Sequence, residues 1–274
     1  MSYTFRKVYA DVVAPNGALC VVYLGWVRLF GRWFGRSGVE VYAPDGTRTV
    51  YAGDRVAPAE RATFDPTRIV FPLPGGELRL EYAPEHDAFS PPSPEACPSL
   101  TWNVLVPRGR AVLEGPGVGR VEGVGYADWV ELVRPTRLLR LRELVWGRSH
   151  VGERTFAFSA LALEDGRGWQ QAGLWTRPAR APSLVETFAH EVDASGHARV
   201  RLGDVPLELR PERVLHAGDA FGQARMSGRL ERLVVRAIGG RTHESRWIGS
   251  ATVGPTVGRA VWERVLFGGA ARGD

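Results

Sequence analysis

The stretch GVGYADWVELV, residues 123–133, places an acid between aromatic side chains. Asp128 lies between Tyr126 and Trp129, and Gly123 and Gly125 precede them. A carboxyl group in so apolar a segment is either a structural residue that accepts backbone amides or an acid that acts on an apolar ligand. Burial can raise the pKa of an aspartic acid until it stays protonated at neutral pH. Asp128 is therefore a candidate donor of a proton to an alkene, and Tyr126 shares its face in an extended strand.

Electron-rich rings that could stabilise the resulting carbocation are abundant, since the chain has nine tryptophans. A cation–π contact with Trp102, Tyr126 or Trp146 would contribute roughly 2 kcal/mol when desolvated. Trp129 would make the surroundings of Asp128 more apolar. We therefore predict that Trp102, Trp129 and Trp146 bind substrate, although large aromatic residues also serve simply to fill a core.

Two charged residues complete the set of candidates. Arg148 follows a glycine in VWGRSH, and Glu263 follows a tryptophan in AVWERV near the end of the chain. Both are predicted substrate-binding residues. The alternative is structural, because a buried arginine can instead pair with Glu263 or Glu143.

The segments along the chain that must position these residues have the residue pattern of β-strands. One apolar face is expected in each of five segments, GELRLEY, LLRLREL, ARVRLGD, ERLVVRAI and TFAFSALAL. The first three of them alternate polar with apolar residues. Five glycine turns separate strand candidates, in APNGAL, APDGTR, LPGGEL, LEDGRG and DASGHA. The pattern predicts an all-β, antiparallel architecture.

Length and composition suit two domains of this kind. The chain has 274 residues, with 33 glycines and 19 prolines that fit many turns between short strands. We predict two β-domains packed together, over residues 1–124 and 125–274. The two cysteines are too few for a disulfide framework or a thiolate metal cluster, and the sequence leaves open whether they pair.

Several function classes are disfavoured. GPGVGRVEGVG lacks the third glycine and the following helix of a dinucleotide-binding loop, and neither a P-loop nor a zinc-protease motif is present, so we expect no cofactor and no metal. The net charge is +5, but the arginines are dispersed, which argues against nucleic acid. With no signal peptide and no apolar run of about 18 residues, we expect a cytoplasmic protein. Its charge is compatible with peripheral contact to an anionic membrane.

Four segments in order resemble a known family. They are SLTWNVLVPRG, GVGYADW, LRELVWGRSHVGERTFAF and VGRAVWERVLF, and the opening FRKVYADVVAPNGALCVVYLG is in keeping with them. The series is similar to the carotenoid 1,2-hydratase and AttH-like group, with its tocopherol-cyclase-like and lipocalin-type Diels–Alderase relatives. The resemblance implies two lipocalin-like barrels. It also implies that Asp128 is the proton donor, assisted by Tyr126 and Trp102, while the family's histidine position is occupied by Leu100.

Three functions follow as hypotheses. The first is an enzyme, a hydratase or cyclase, that protonates a hydrophobic terpenoid or polyene substrate at Asp128, or that cyclises it by shape alone. The second is a non-catalytic protein that binds a lipophilic small molecule. The third, the least favoured, is a carbohydrate-binding or glycoside-cleaving β-sandwich with carboxylates from Asp128, Glu131 or Glu263.

Overall fold

The computed structural model describes residues 3–52, 56–93, 95, 97–176, 181–185, 188–218 and 242–268. The chain divides into two compact units, Met1–Ser93 with Pro98–Arg134 and Pro94–Cys97 with Pro135–Asp274. Each unit is built on one antiparallel sheet, and the two sheets form a half-barrel and a nearly closed barrel. The predicted all-β class is confirmed. None of the helical structure among the described residues is long and apolar enough to cross a bilayer.

The first unit contains an eight-stranded sheet in the order β4-β3-β2-β1-β8-β7-β6-β5. Its strands are β1 (Tyr3–Val13), β2 (Leu19–Leu29), β3 (Arg32–Tyr42), β4 (Arg48–Ala52), β5 (Arg68–Leu73), β6 (Gly76–Pro84), β7 (Leu100–Gly115) and β8 (Gly119–Leu132). In this order β1 lies next to β8, so the first and last strands of the unit pair with each other.

The second unit contains a nine-stranded sheet in the order β12-β11-β10-β9-β17-β16-β15-β14-β13. A single helical turn, α1 (Thr136–Leu139), precedes it. Its strands are β9 (Leu141–Val151), β10 (Arg154–Leu163), β11 (Gly168–Thr176), β12 (Ser183–Val185), β13 (Phe188–Val192), β14 (Ala198–Leu202), β15 (Val205–Gly218), β16 (Thr242–Val253) and β17 (Thr256–Phe267).

All five predicted glycine turns join antiparallel neighbours. They connect β1 to β2, β3 to β4, β5 to β6, β10 to β11 and β13 to β14. Each contains a glycine with positive φ, as at Gly17 and Gly46, where a side chain would be strained. The alternation predicted for GELRLEY is confirmed as well, because Leu78, Leu80 and Tyr82 are all buried.

Three local expectations differ from the structure or fall outside it. The strand predicted over LLRLREL begins only at Leu141, since Leu139 ends the helical turn and Arg140 has a left-handed backbone. ERLVVRAI lies outside the described residues. The predicted division between residues 124 and 125 falls inside β8, which pairs with β7 between Gly119 and Leu132 and with β1 between Val124 and Leu132. The structure divides the chain between Arg134 and Pro135.

Each sheet has an apolar core on one face and buried polar residues on the other. In the first unit Val8, Ala10, Ala127 and Trp129 belong to the hydrophobic cluster. The residues that alternate with them face the opposite way. That opposite face of β1 and β8, which carries Asp128, is the polar face of the first sheet; it is buried too.

Cys20 lies in the apolar core, and among the described residues neither it nor Cys97 forms a disulfide. Burial raises the pKa of the Cys20 thiol to about 12, with a smaller contribution from the charge of Asp11. Because the thiolate is the reactive form, we expect Cys20 in a Cys97→Ser variant to resist Ellman's reagent at about pH 8 and to react on denaturation. Rapid reaction of the native variant would contradict this placement.

Candidate active site

Asp128 lies in a symmetrical arrangement that spans two strands. In the antiparallel pairing of β1 with β8, Tyr9 is opposite Asp128 and Asp11 is opposite Tyr126, with Ala10 and Ala127 between them. The tripeptide Tyr-Ala-Asp therefore occurs twice, once on each strand and in opposite directions. All four polar side chains point to the same face of the sheet, and all four are buried. We call these four residues the Tyr–Asp quartet.

The carboxyl group of Asp128 is held by two aromatic donors. The Tyr126 hydroxyl donates to Oδ2 at 3.0 Å, and the Trp102 indole Nε1 lies 3.2 Å from the same oxygen. Trp102 reaches this position from β7, because it is opposite Val130 of β8 and so lies on the face that carries Asp128. Asp128 is 2% exposed and Trp102 is 3% exposed. The structure thus brings together the three residues that the resemblance connects, Trp102, Tyr126 and Asp128.

The two donors bear on which oxygen carries a proton. An indole N–H can only donate, so Oδ2 of Asp128 accepts a hydrogen bond. This arrangement favours Oδ1 as the protonated oxygen when Asp128 is neutral. Burial favours the neutral form of a carboxyl group, whereas two donated hydrogen bonds favour the carboxylate.

Asp11 is a second buried carboxyl in the quartet. It is fully buried, and its Oδ2 accepts a hydrogen bond from Tyr9 at 2.8 Å. The Tyr9 and Tyr126 rings are tilted against each other with centroids 6.2 Å apart. Asp11 is opposite Tyr126, two residues from Asp128, so the two aspartates are diagonal neighbours across the strand pair. Diagonal neighbours on one face of a sheet typically lie about 7–8 Å apart. Two carboxyl groups this close in a buried setting repel each other when both are ionised.

A third tyrosine–carboxylate pair lies on the same face. Glu40 on β3 is opposite Val21, which is itself opposite Asp11. Glu40 accepts a hydrogen bond from Tyr42, and Arg48 donates to its Oε1 at 2.9 Å. This carboxylate therefore has a cation as partner, and it serves as a structural ion pair at the margin of the polar face.

Gly125, which precedes Tyr126, leaves room for the side chain of Tyr82 to pack closely against β8. The Tyr82 hydroxyl donates to the carbonyl of Tyr126 at 2.9 Å, and the carbonyl of Asp11 lies 3.2 Å away. A Cβ at position 125 would lie 2.5 Å from the Tyr82 ring and 2.6 Å from the Asp11 carbonyl oxygen. Only glycine leaves room for this ring beneath the quartet.

We therefore expect Gly125→Ala to destabilise the protein by about 1–3 kcal/mol through overpacking, as measured by urea unfolding. Gly25→Ala is the matched control, because Gly25 is also in a strand and a Cβ there would have nothing within 4 Å. Equal stability of the two variants would contradict the close packing of Tyr82 against Gly125.

Trp129 does not lie with Asp128, contrary to its predicted place in the site. It belongs to the apolar cluster on the other face. There its ring stacks on Trp26, with centroids 6.0 Å apart, and packs at an angle against Phe64, with centroids 5.5 Å apart. The reason is the period of two in a strand, which sends adjacent residues to opposite faces. Trp129 is a core residue of the first unit.

The remaining candidates, Trp146, Arg148 and Glu263, lie together in the second unit. Trp146 is opposite Glu263 in the pairing of β9 with β17, and Arg148 follows two residues along the same face. All three are buried. They lie on the face away from the apolar cluster that contains Trp247 and Trp262.

Glu263 is held in a buried ion cluster. Arg246 donates to Glu263 Oε2 from Nη2 at 2.9 Å and from Nε at 3.1 Å, and it also pairs with Glu244. The other carboxylate considered as a partner for Arg148, Glu143, accepts a hydrogen bond from Arg264 at 2.7 Å. Glu263 therefore has a structural role in this unit, and its predicted contact with substrate stays a prediction.

A cleft of about 370 Å³ opens in the first unit on the side of the apolar core. Its lining includes Leu24, Trp26, Phe64, Ile69 and Phe71. Asp128, Tyr126 and Trp102 are not among the lining residues. The apolar cleft and the quartet thus occupy different faces of the same sheet.

Comparison with solved structures identifies the fold. A putative AttH from Nitrosomonas europaea aligns with 96% of this chain and 92% of its own, at 14% identity and a TM-score of 0.56. The chain has the fold of the AttH-like group. CghA aligns with 97% of the chain and 88% of its own, at 13% identity and a TM-score of 0.59. Kievitone hydratase from Nectria haematococca aligns with 97% and 90%, at 9% identity and a TM-score of 0.58.

No family model matches the sequence, and no curated protein is significantly similar to it. The predicted resemblance is thus confirmed at a distant level, that of the fold. At such identities the comparison shows the architecture alone, so the chemistry must be argued from the residues of this chain.

Sequence reasoning missed Tyr9 and Asp11, although a signal was present. VYADVV and GYADWV repeat the same tripeptide, in segments that become β1 and β8. The repeat acquires meaning only when the two strands are known to pair with Ala10 opposite Ala127.

Proposed function

We propose that the protein is an enzyme that protonates an alkene of a hydrophobic terpenoid or polyene substrate, with Asp128 as the acid. The observation that supports this most is the carboxyl group of Asp128, buried and held by a phenol and an indole on one oxygen. The neighbours in structure include a hydratase and a Diels–Alderase, which supports a catalytic use of the fold.

The proposed reaction begins with proton transfer from Oδ1 of Asp128 to one alkene carbon. The π electrons form the new C–H bond, Asp128 becomes a carboxylate, and the other carbon becomes a cation. The ring of Trp102 and the phenol of Tyr126 lie beside this carboxyl, where their π faces can stabilise positive charge. The carboxylate itself adds electrostatic stabilisation to the cation.

The cation then has two outcomes. Water can add to it, after which the oxonium loses a proton to the Asp11–Asp128 pair and an alcohol is formed. If water is excluded, a second alkene of the substrate attacks the cation, which forms a C–C bond, closes a ring and leaves a new cation. That cation loses a proton to the same pair and becomes an alkene. In both cases the acid pair regains the proton that it gave.

Asp11 supports this role in two ways. Its proximity makes simultaneous ionisation of both carboxyl groups unfavourable, which would keep one proton in the buried site. It also supplies a second carboxyl to receive a proton. Two coupled carboxyls are a recurring solution where one group must be an acid and the other a base at neutral pH.

The experiment is turnover in D₂O with a panel of isoprenoid and polyketide polyenes. Proton transfer from Asp128 predicts one carbon-bound deuterium in the product, detected by mass spectrometry and placed by NMR. A product without deuterium would instead support cyclisation by shape alone. Tight binding of a polyene with no product in any case would favour a lipophilic-ligand-binding protein.

A further inference from the structure

The hairpin between β2 and β3 presents an exposed aromatic tip flanked by arginines. Phe30 and Gly31 form its two-residue turn, with Phe30 76% exposed and Phe34 47% exposed. Arg28, Arg32 and Arg36 are exposed at every fourth position around them. We call residues 27–36 the hairpin tip.

The residue at the apex is unusual for its conformation. Phe30 has φ of 50° and Gly31 has φ of 78°, as in a type I′ turn. This turn favours asparagine, aspartate or glycine at its first central position, and a bulky side chain with positive φ is strained there. A large apolar residue that is both strained and exposed contributes little to folding, which points to a role in binding.

The apolar surface continues below the apex. Phe34 is opposite Val27, and Phe5 of β1 is the other neighbour of Val27, so these side chains share one face. Leu29 extends the same face toward the tip and is opposite Tyr3. The tip thus carries a small apolar ridge rather than a single exposed ring.

The charge of the tip has one sign. Residues 19–39 contain three arginines and no acidic residue. Among the described residues, Arg28 and Arg32 form no ion pair. Arginine side chains can lie along an apolar surface and place their guanidinium groups among phosphates.

We infer that the hairpin tip docks the protein on an anionic lipid bilayer. Phe30 and Phe34 would enter the boundary between headgroups and acyl chains, and Arg28, Arg32 and Arg36 would contact lipid phosphates. The complementarity of charge favours this partner, since a row of exposed cations around an apolar apex matches an anionic interface. The inference is independent of the chemistry proposed at Asp128.

The test is co-sedimentation with vesicles of phosphatidylcholine alone and of phosphatidylcholine mixed with phosphatidylserine. We expect binding to the mixed vesicles that weakens as salt rises. Phe30→Asn should weaken it about tenfold, because burial of one aromatic side chain is lost. This variant keeps the turn, since Asn-Gly is a preferred type I′ sequence. Arg28→Gln with Arg32→Gln should weaken binding about fivefold for each arginine.

Matched controls lie in the second unit. Val257→Thr changes another exposed apolar residue, 65% exposed against 76% for Phe30, and Arg154→Gln with Arg201→Gln removes two exposed cations. These variants should bind as the parent protein does. The inference is overturned if the parent protein does not bind the mixed vesicles, or if the Phe30→Asn variant binds them as well as the parent does. It is also overturned if ultracentrifugation without lipid shows a dimer that Phe30→Asn dissociates, since a second copy would then cover the tip.

Discussion

Asp128→Asn is expected to lower turnover of a polyene substrate by about a hundredfold to ten-thousandfold, the range that general acid catalysis contributes. Asparagine keeps the shape of the side chain and can still accept the Tyr126 and Trp102 hydrogen bonds at its carbonyl oxygen. It has no acidic proton to give. The loss should appear in kcat, with KM little changed, because binding of an apolar substrate does not depend on the acid.

Two companion variants make the result specific. Asp204→Asn removes an exposed carboxyl and should leave turnover unchanged. Asp11→Asn removes the carboxyl that is proposed to receive a proton, so turnover should fall while KM changes little. If Asp128→Asn keeps full turnover, protonation by this residue is excluded.

The largest effect on stability is expected at Arg246. Its side chain is 3% exposed and lies between Glu244 and Glu263, which are nearly as buried. Arg246→Met would remove the cation that pairs with both buried carboxylates, a change that destabilises by about 3–5 kcal/mol. The free energy of unfolding from urea denaturation measures it. Arg210→Met, which removes an exposed partner of Glu208, should cost at most about 1 kcal/mol.

The deficit of Arg246→Met should depend on pH with a definite sign. Without the arginine, burial and mutual repulsion would disfavour the ionised forms of Glu244 and Glu263 in the folded state. Such groups favour the folded state below the unfolded pKa and lose that contribution as pH rises through the folded pKa. The deficit should therefore be smaller at about pH 4 than at pH 7. A deficit that grows on acidification would contradict the placement of this cluster.

Alternation and turn chemistry predicted much of the fold because both are local. Leu78, Leu80 and Tyr82 face inward as their spacing requires, and every glycine turn joins two strands. The same rule places Trp129 on the face opposite Asp128, so periodicity alone could have excluded it from the site. The start of β9 at Leu141 was missed because Leu139 and Leu141 alternate across the end of a helical turn.

The parts that could not be predicted depend on register between distant strands. Asp11 joins Asp128 only because β1 pairs with β8 across more than a hundred residues of sequence. Arg246 is the partner of Glu263 because β16 aligns the two directly. Nothing within a single segment indicates either pairing, since side-chain neighbours across a sheet are set by the strand order and its register.

The most direct measurement needs no substrate. Infrared difference spectra between the parent protein and Asp128→Asn, recorded at neutral pH, report whether the deleted carboxyl was protonated. We expect the parent to show the carbonyl band of a neutral carboxylic acid, shifted in D₂O, that the variant lacks. Loss of only the carboxylate bands on substitution would show Asp128 ionised in the resting protein, and would contradict its role as the acid.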